Sequence, residues 1–240
     1  FRSLQPRVAT MLALGFSSGL PFLLIFATLS TWLREAGVSR TDIGLMFYAG
    51  LAYSIKFLWA PLIDQVHLPA LHALLGRRRS WLLLAQGVVA ASLIAMSFCD
   101  PHVSLVPIAF SAVVLAFAGA TQDICIDAWR IEAAPKSEQG AMAAAYQLGY
   151  RFALLASGAG ALYIAQYVSW HAAYLSMASL MSLGAIATLA AVRTAETAAV
   201  APESAAVENT VKRLHLHGGL AWAYRAVVAP FVDFFARHGW

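Results

Sequence analysis

The chain has 240 residues, of which 60% are hydrophobic and only 12% charged, with a formal net charge of +4. Its mean hydropathy of +0.69 lies well outside the range of soluble domains. The apolar residues come in long blocks rather than at amphipathic spacing, so the sequence reads as a polytopic, all-α membrane protein.

Taken in chain order, the first predicted span runs from about Thr10 to Leu33 and the second from about Ile43 to Ile63. The third covers roughly Trp81 to Phe98, the fourth starts near Val103, the fifth occupies about Gly140 to Tyr163, and the sixth about His171 to Val192. Each supplies the ~20 residues that a hydrocarbon core of ~30 Å requires. Helices are expected, because a backbone in that medium must satisfy its own hydrogen bonds. The joints "REAGVSRTD", "CDPH" and "APKSEQ" hold breakers or charges. Residues 1–193 are therefore expected to form a six-helix transmembrane bundle and 194–219 a polar cytoplasmic linker. The closing stretch 220–240 mixes apolar residues with Arg225, Asp233 and Arg237, and reads as an amphipathic segment leading to a further span. Six spans, a linker and a new apolar start predict one half of a twelve-helix or larger protein, completed by a second half.

Lys and Arg set the orientation. Arg2, Arg7, Arg77, Arg78, Arg79, Arg130, Lys136 and Arg193 fall on one side of the alternating spans, and only Arg34 and Arg40 on the other. The positive-inside rule then puts both ends of the six-helix unit in the cytoplasm. The positive charge is a topology device, not a nucleic-acid footprint. Cys99 and Cys125 sit at different depths and read as small hydrophobes. The seven histidines show no spacing typical of a zinc enzyme helix, and no nucleophile motif or phosphate-cradling loop is present. No metal or cofactor is expected, and an enzyme is the least favoured class.

Several charges are not explained by topology. Lys56 lies two turns before Asp64 in "YSIKFLWAPLID", Arg151 lies inside span five, and Asp123 and Asp127 precede the loop at Pro135. Counting from that loop at ~1.5 Å per residue, Asp123 and Arg151 come out at similar heights, roughly 20 Å away, and Asp127 and Gln147 at roughly 15 Å. Asp123 and Asp127 are four apart, as are Gln147 and Arg151, so each of these two pairs shares one face of its own helix. Consecutive antiparallel spans would bring the two faces together as walls of one aqueous cavity. A charge at the bilayer centre costs ~3 kcal/mol or more unless paired or wet. A purely structural ion pair would also account for the arrangement.

Span one carries Gly15, Gly19 and Pro21 in "GFSSGLPFLL". These read either as an interruption that exposes backbone to substrate or as ordinary close packing with a proline kink. The joint "APLIDQVHLPALHALLGRRRSW" offers Asp64, then Gly76, Arg77 and Arg78 at the entry to the next helix, with Arg79 a plain positive anchor. It resembles the cytoplasmic loop motif of the major facilitator superfamily, with a longer interval between Asp and Gly. Asp64 pairing with Arg77 or Arg78 in one conformation and releasing it in another would supply a bistable contact.

"GFSSGLP", "IKFLWAPLID", "GRRRSWLL", "ATQDICIDAWRIE" and "AAYQLGYRFALLASG" occur in this order over residues 10–195. In them the chain resembles the bacterial muropeptide permease family (AmpG-type). The resemblance implies a transporter of the Gram-negative inner membrane importing anhydro-muropeptides for peptidoglycan recycling, driven by protons and linked to β-lactamase induction. On that basis Gln122, Gln147 and Tyr150 would hydrogen-bond sugar or peptide groups, and Lys56 or Arg151 would neutralise a carboxylate. Asp123 or Asp127 would carry the proton, since burial favours the neutral acid and a nearby cation the ionised one. The expected partners are a muropeptide-like solute, protons, membrane lipid and the second half of the transporter. Two other readings stand beside it: a related facilitator for another bulky solute such as an acyl-CoA, and a non-transporting sensor or scaffold on a transporter fold.

Overall fold

The computed structural model describes residues 6–66 and 68–191, together with Tyr224, Val228 and Ala229. The predicted linker of residues 194–219, most of the segment 220–240, and Arg2 and Arg193 lie outside the described residues. Two compact units divide the chain, Phe1–Lys56 with Leu68–Ala195, and Phe57–His67 with Glu196–Trp240. In the second, the described secondary structure is chiefly α5 (Ala60–Gln65), which takes Pro61 in its first turn, where the missing N–H costs nothing.

Five helical stretches among the described residues are long and apolar enough to cross a membrane: Pro6–Glu35, Arg77–Ser97, Val106–Ala133, Gln139–Tyr167 and Trp170–Ala190. They match the predicted first, third, fourth, fifth and sixth spans. The predicted second span is not one helix. It is a succession of short pieces: α3 (Arg40–Met46), a 3-10 turn Phe47–Gly50, α4 (Leu51–Ile55), a 3-10 turn Lys56–Leu58 and then α5. Its sequence explains the breaks. Pro61 cannot donate to a carbonyl four residues back, and Gly44 and Gly50 lower helix propensity along the way.

The first span is α1 (Pro6–Ile25) followed by α2 (Ala27–Glu35). Helix α1 runs unbroken through Gly15, Gly19 and Pro21, and the distortion expected there falls at Phe26 instead, with φ −104° and ψ −93°. The glycines serve contact. A Cβ on Gly15 would strike the Tyr146 carbonyl, one on Gly19 would lie 2.8 Å from the Tyr150 carbonyl, and one on Gly149 would strike the Leu12 carbonyl. Helix α1 is thereby pressed backbone to backbone on α9 (Gln139–Leu155), as small residues permit where no hydrophobic force separates helices from lipid. Its other sides meet α8 (Val106–Ala133) and α11 (Trp170–Ala190), while α7 (Arg77–Ser97) packs on α8 and α11. Consecutive helices α8 and α9 share only a narrow contact, because α1 stands between them. The fifth span passes from α9 through a π turn, Ala156–Gly160, into α10 (Ala161–Tyr167), and the Ser157 carbonyl there accepts from Thr28 Oγ1 at 2.7 Å.

Polar contacts close both ends. At the arginine-rich end, Arg78 donates through Nε and Nη2 to Glu132 Oε1 at 3.0 and 2.8 Å, tying α7 to α8. Arg79 donates to the carbonyls of Thr188 and Leu189 at 2.9 and 2.5 Å, capping α11. At the opposite end Trp170 Nε1 donates to Glu35 Oε2 at 2.9 Å, its ring stacked on Trp32. Cys99 and Cys125 are both free thiols.

Gly76 joins α6 (Pro69–Leu75) to α7 with φ 76° and ψ 171°, a conformation essentially reserved for glycine. Gly76→Ala is expected to cost about 1–3 kcal/mol, read as a lower unfolding temperature of the purified protein, whereas Gly44→Ala, which meets open space at ordinary φ, serves as the control.

Candidate functional site

Four polar side chains from four spans meet in the dry centre of the bundle. Thr188 Oγ1 on α11 donates to Gln86 Oε1 on α7 at 2.9 Å, and Gln86 Nε2 donates to Ser17 Oγ on α1 at 3.3 Å. Ser17 Oγ then donates to Gln122 Oε1 on α8 at 2.8 Å. All four residues are buried. Because the four side chains are buried, each bond satisfies a group that would otherwise be costly, so the chain of donors ties the four spans together. Gly184 makes room for it, since a Cβ there would strike the Ser17 side chain.

One residue along α1 the character changes. Ser18 Oγ donates to Asp123 Oδ1 at 2.5 Å and lies 2.7 Å from Tyr146 Oη on α9. A serine hydroxyl has a single proton; with that proton on Asp123, Tyr146 must donate to Ser18. The other carboxylate oxygen, Oδ2, faces Lys56 Nζ at 3.9 Å. Asp123 has 15% of its side-chain surface exposed and Lys56 has 35%. Tyr146, Tyr150 and Phe22 form an aromatic wall beside the cluster, with ring centroids 6.0 Å apart for the tyrosines and 6.5 Å for Phe22 and Tyr150. A carboxylate with two hydroxyls in series and a partly wet lysine can hold or release a proton, and can exchange its cation for another partner.

The family profile described as Major Facilitator Superfamily matches residues 11–237. The chain belongs to the major facilitator superfamily. Among curated proteins it is 40% identical over 235 residues to the anhydromuropeptide permease of Escherichia coli K12, covering 98% of this chain and 43% of that permease. It is 35% identical over 233 residues to the Rickettsia felis protein designated AmpG 4, covering 96% and 53% respectively. The chain thus spans about half the length of the curated relatives it matches.

Within this superfamily member the predicted site residues separate. Lys56 and Asp123 are brought together, and Tyr150 stands beside them. Arg151 is not the partner of Asp123: it is exposed on α9 and makes no ion pair among the described residues. Helix α1 lies between the two helices, and Ser18 bonds the carboxylate where the arginine was expected. Asp127, at 53% side-chain exposure, pairs with Arg130 of its own helix at 3.9 Å and does not meet Gln147, which is exposed. Gln122 faces the dry network instead of the Asp123 pocket, because adjacent residues on a helix point about 100° apart. Asp64 lies in the other compact unit; Arg78 is engaged by Glu132.

Ser17, Ser18, Gln86, Tyr146 and Thr188 were not singled out as site residues from the sequence. Gln86 was legible, as an amide in the middle of "LLLAQGVV" with no aqueous end nearby. The serines were legible only as small residues, since a hydroxyl in an apolar helix can equally bond its own backbone.

Proposed function

We propose that this chain is one six-helix half of a proton-driven permease of the bacterial inner membrane, with the broken segment of residues 40–65 serving as its second span and both ends in the cytoplasm. The cargo is an anhydro-muropeptide, a GlcNAc-anhydroMurNAc-peptide, moved inward by alternating access for peptidoglycan recycling. The observation that carries this reading is the Asp123–Lys56 pair inside a bundle of apolar spans, in a chain so similar to the permease of Escherichia coli. A charge pair at that depth is expensive unless it works. Asp123 is the proton carrier, Lys56 and Tyr150 belong to the solute pocket, and Arg151 and Gln147, exposed on one face of α9, are available to the solute. The Asp64, Gly76, Arg77 and Arg78 motif acts in the conformational change.

The test uses a full-length protein containing this chain, expressed in cells lacking their own muropeptide permease. Uptake of labelled anhydro-muropeptide should be restored and should collapse when the proton gradient is discharged. Uptake that ignores the gradient would remove the proton coupling; no uptake at all would remove the substrate.

A further inference from the structure

One side of Asp123 is faced by a residue to which no role has yet been given. Tyr53 and Lys56 stand three apart where α4 passes into the 3-10 turn, so they share a face of that short segment. The Tyr53 ring meets Phe22 edge-on at 6.2 Å. Its hydroxyl rests on Gly119, where an added Cβ would collide with it, and Pro21 is close by. Gly119 precedes Asp123 by four residues on α8, which places hydroxyl and carboxylate along one helix face.

Both donors on this segment are unspent. Tyr53 Oη is buried and has no hydrogen-bond partner, an unfavourable state for a hydroxyl that could have been a phenylalanine edge. Lys56 Nζ carries three N–H donors, yet its one charged neighbour among the described residues, Asp123 Oδ2, lies at 3.9 Å, beyond hydrogen-bond reach. Asp123 in turn has its Oδ1 taken by Ser18. A buried neutral O–H and a part-exposed ammonium, three residues apart on one face of the same short segment, are jointly satisfied by one kind of group, an anion with two acceptor oxygens.

The geometry points to a carboxylate subsite in which Tyr53 Oη and Lys56 Nζ each bind one end of a carboxylate carried by the transported solute, Asp123 holding Lys56 only while the subsite is empty. The subsite makes an anionic group a condition of efficient transport and identifies Tyr53 as the residue that reads it. It rests on the permease reading above, whose substrate has peptide carboxylates.

The test compares two labelled compounds in the full-length protein: an anhydro-muropeptide with free peptide carboxylates, and the same compound with those carboxylates converted to amides. The unsubstituted protein should take up both, with a lower KM for the acid. Tyr53→Phe and Lys56→Gln should each cut the preference for acid over amide, read as the ratio of their KM values, about tenfold, the loss of one hydrogen bond to a charged group, whatever else either change does to both compounds alike. Lys56→Arg should keep the preference for acid. Equal changes for both compounds, or none for either, overturn the subsite while leaving the permease reading in place. Failure of the unsubstituted protein to take up either compound overturns both.

Discussion

Asp123→Asn should reduce proton-driven uptake to background while the protein remains in the membrane at its usual level. The reasoning is steric as well as electrostatic. Asn keeps the shape of the side chain and can still accept from Ser18 Oγ, so the hydroxyl series from Tyr146 loses little geometry. What goes is the negative charge opposite Lys56 and, with it, the carboxylate of the cluster that can take up and give back a proton. An unbalanced lysine then remains, free to grip an anionic solute without releasing it, so downhill exchange should slow as well. Asp127→Asn is the internal control. Asp127 is half exposed and pairs loosely with Arg130, and a change of that kind is worth about 0.5 kcal/mol or about twofold in rate. The measurement is initial uptake at several external pH values for both variants. If Asp123→Asn retains its pH dependence, or if Asp127→Asn is the one that loses it, the proton assignment moves off Asp123.

The contrast between the two aspartates also shows what could be read from the sequence. That Asp123 lies well inside its helix rather than at its end followed from counting residues away from the Pro135 loop. Its partner did not, because depth along a helix says nothing about which helix is the neighbour. Consecutive antiparallel spans are often adjacent in space, and that rule favoured Arg151. The deciding information was in Gly15, Gly19 and Gly149, whose missing side chains let α1 and α9 touch through their backbones and so wedge α1 against α8. Gly15 and Gly19 read equally as an interruption of α1 or as close packing, and Gly149, on the partner helix, was not singled out. Five spans announced themselves by apolar length alone. The second did not stay whole, since hydropathy reports burial and is blind to whether an apolar run is α-helical, 3-10 or broken at Pro61.

The same wedge makes Gly149→Ala the most damaging of the small substitutions available. A methyl group there would press on the Leu12 carbonyl and come within 2.9 Å of the Phe16 amide nitrogen. Both belong to the backbone of α1, so neither can rotate away, and relief requires the two helices to part. Overpacking of this sort costs about 1–3 kcal/mol, a large share of a typical folding stability of about 5–15 kcal/mol. Separation would also carry Tyr146 away from Ser18, leaving Asp123 with one hydroxyl fewer, so uptake should fall together with the unfolding temperature. Gly87→Ala gives the comparison, for Gly87 on α7 is exposed and an added Cβ meets nothing within 4 Å. It should leave both readouts unchanged. Should the two alanine variants unfold at the same temperature, the close approach of α1 and α9 is not what sets the stability of the bundle. A Gly149→Ala protein that unfolds early yet transports normally would separate the two consequences and show that Tyr146 is not needed by Ser18.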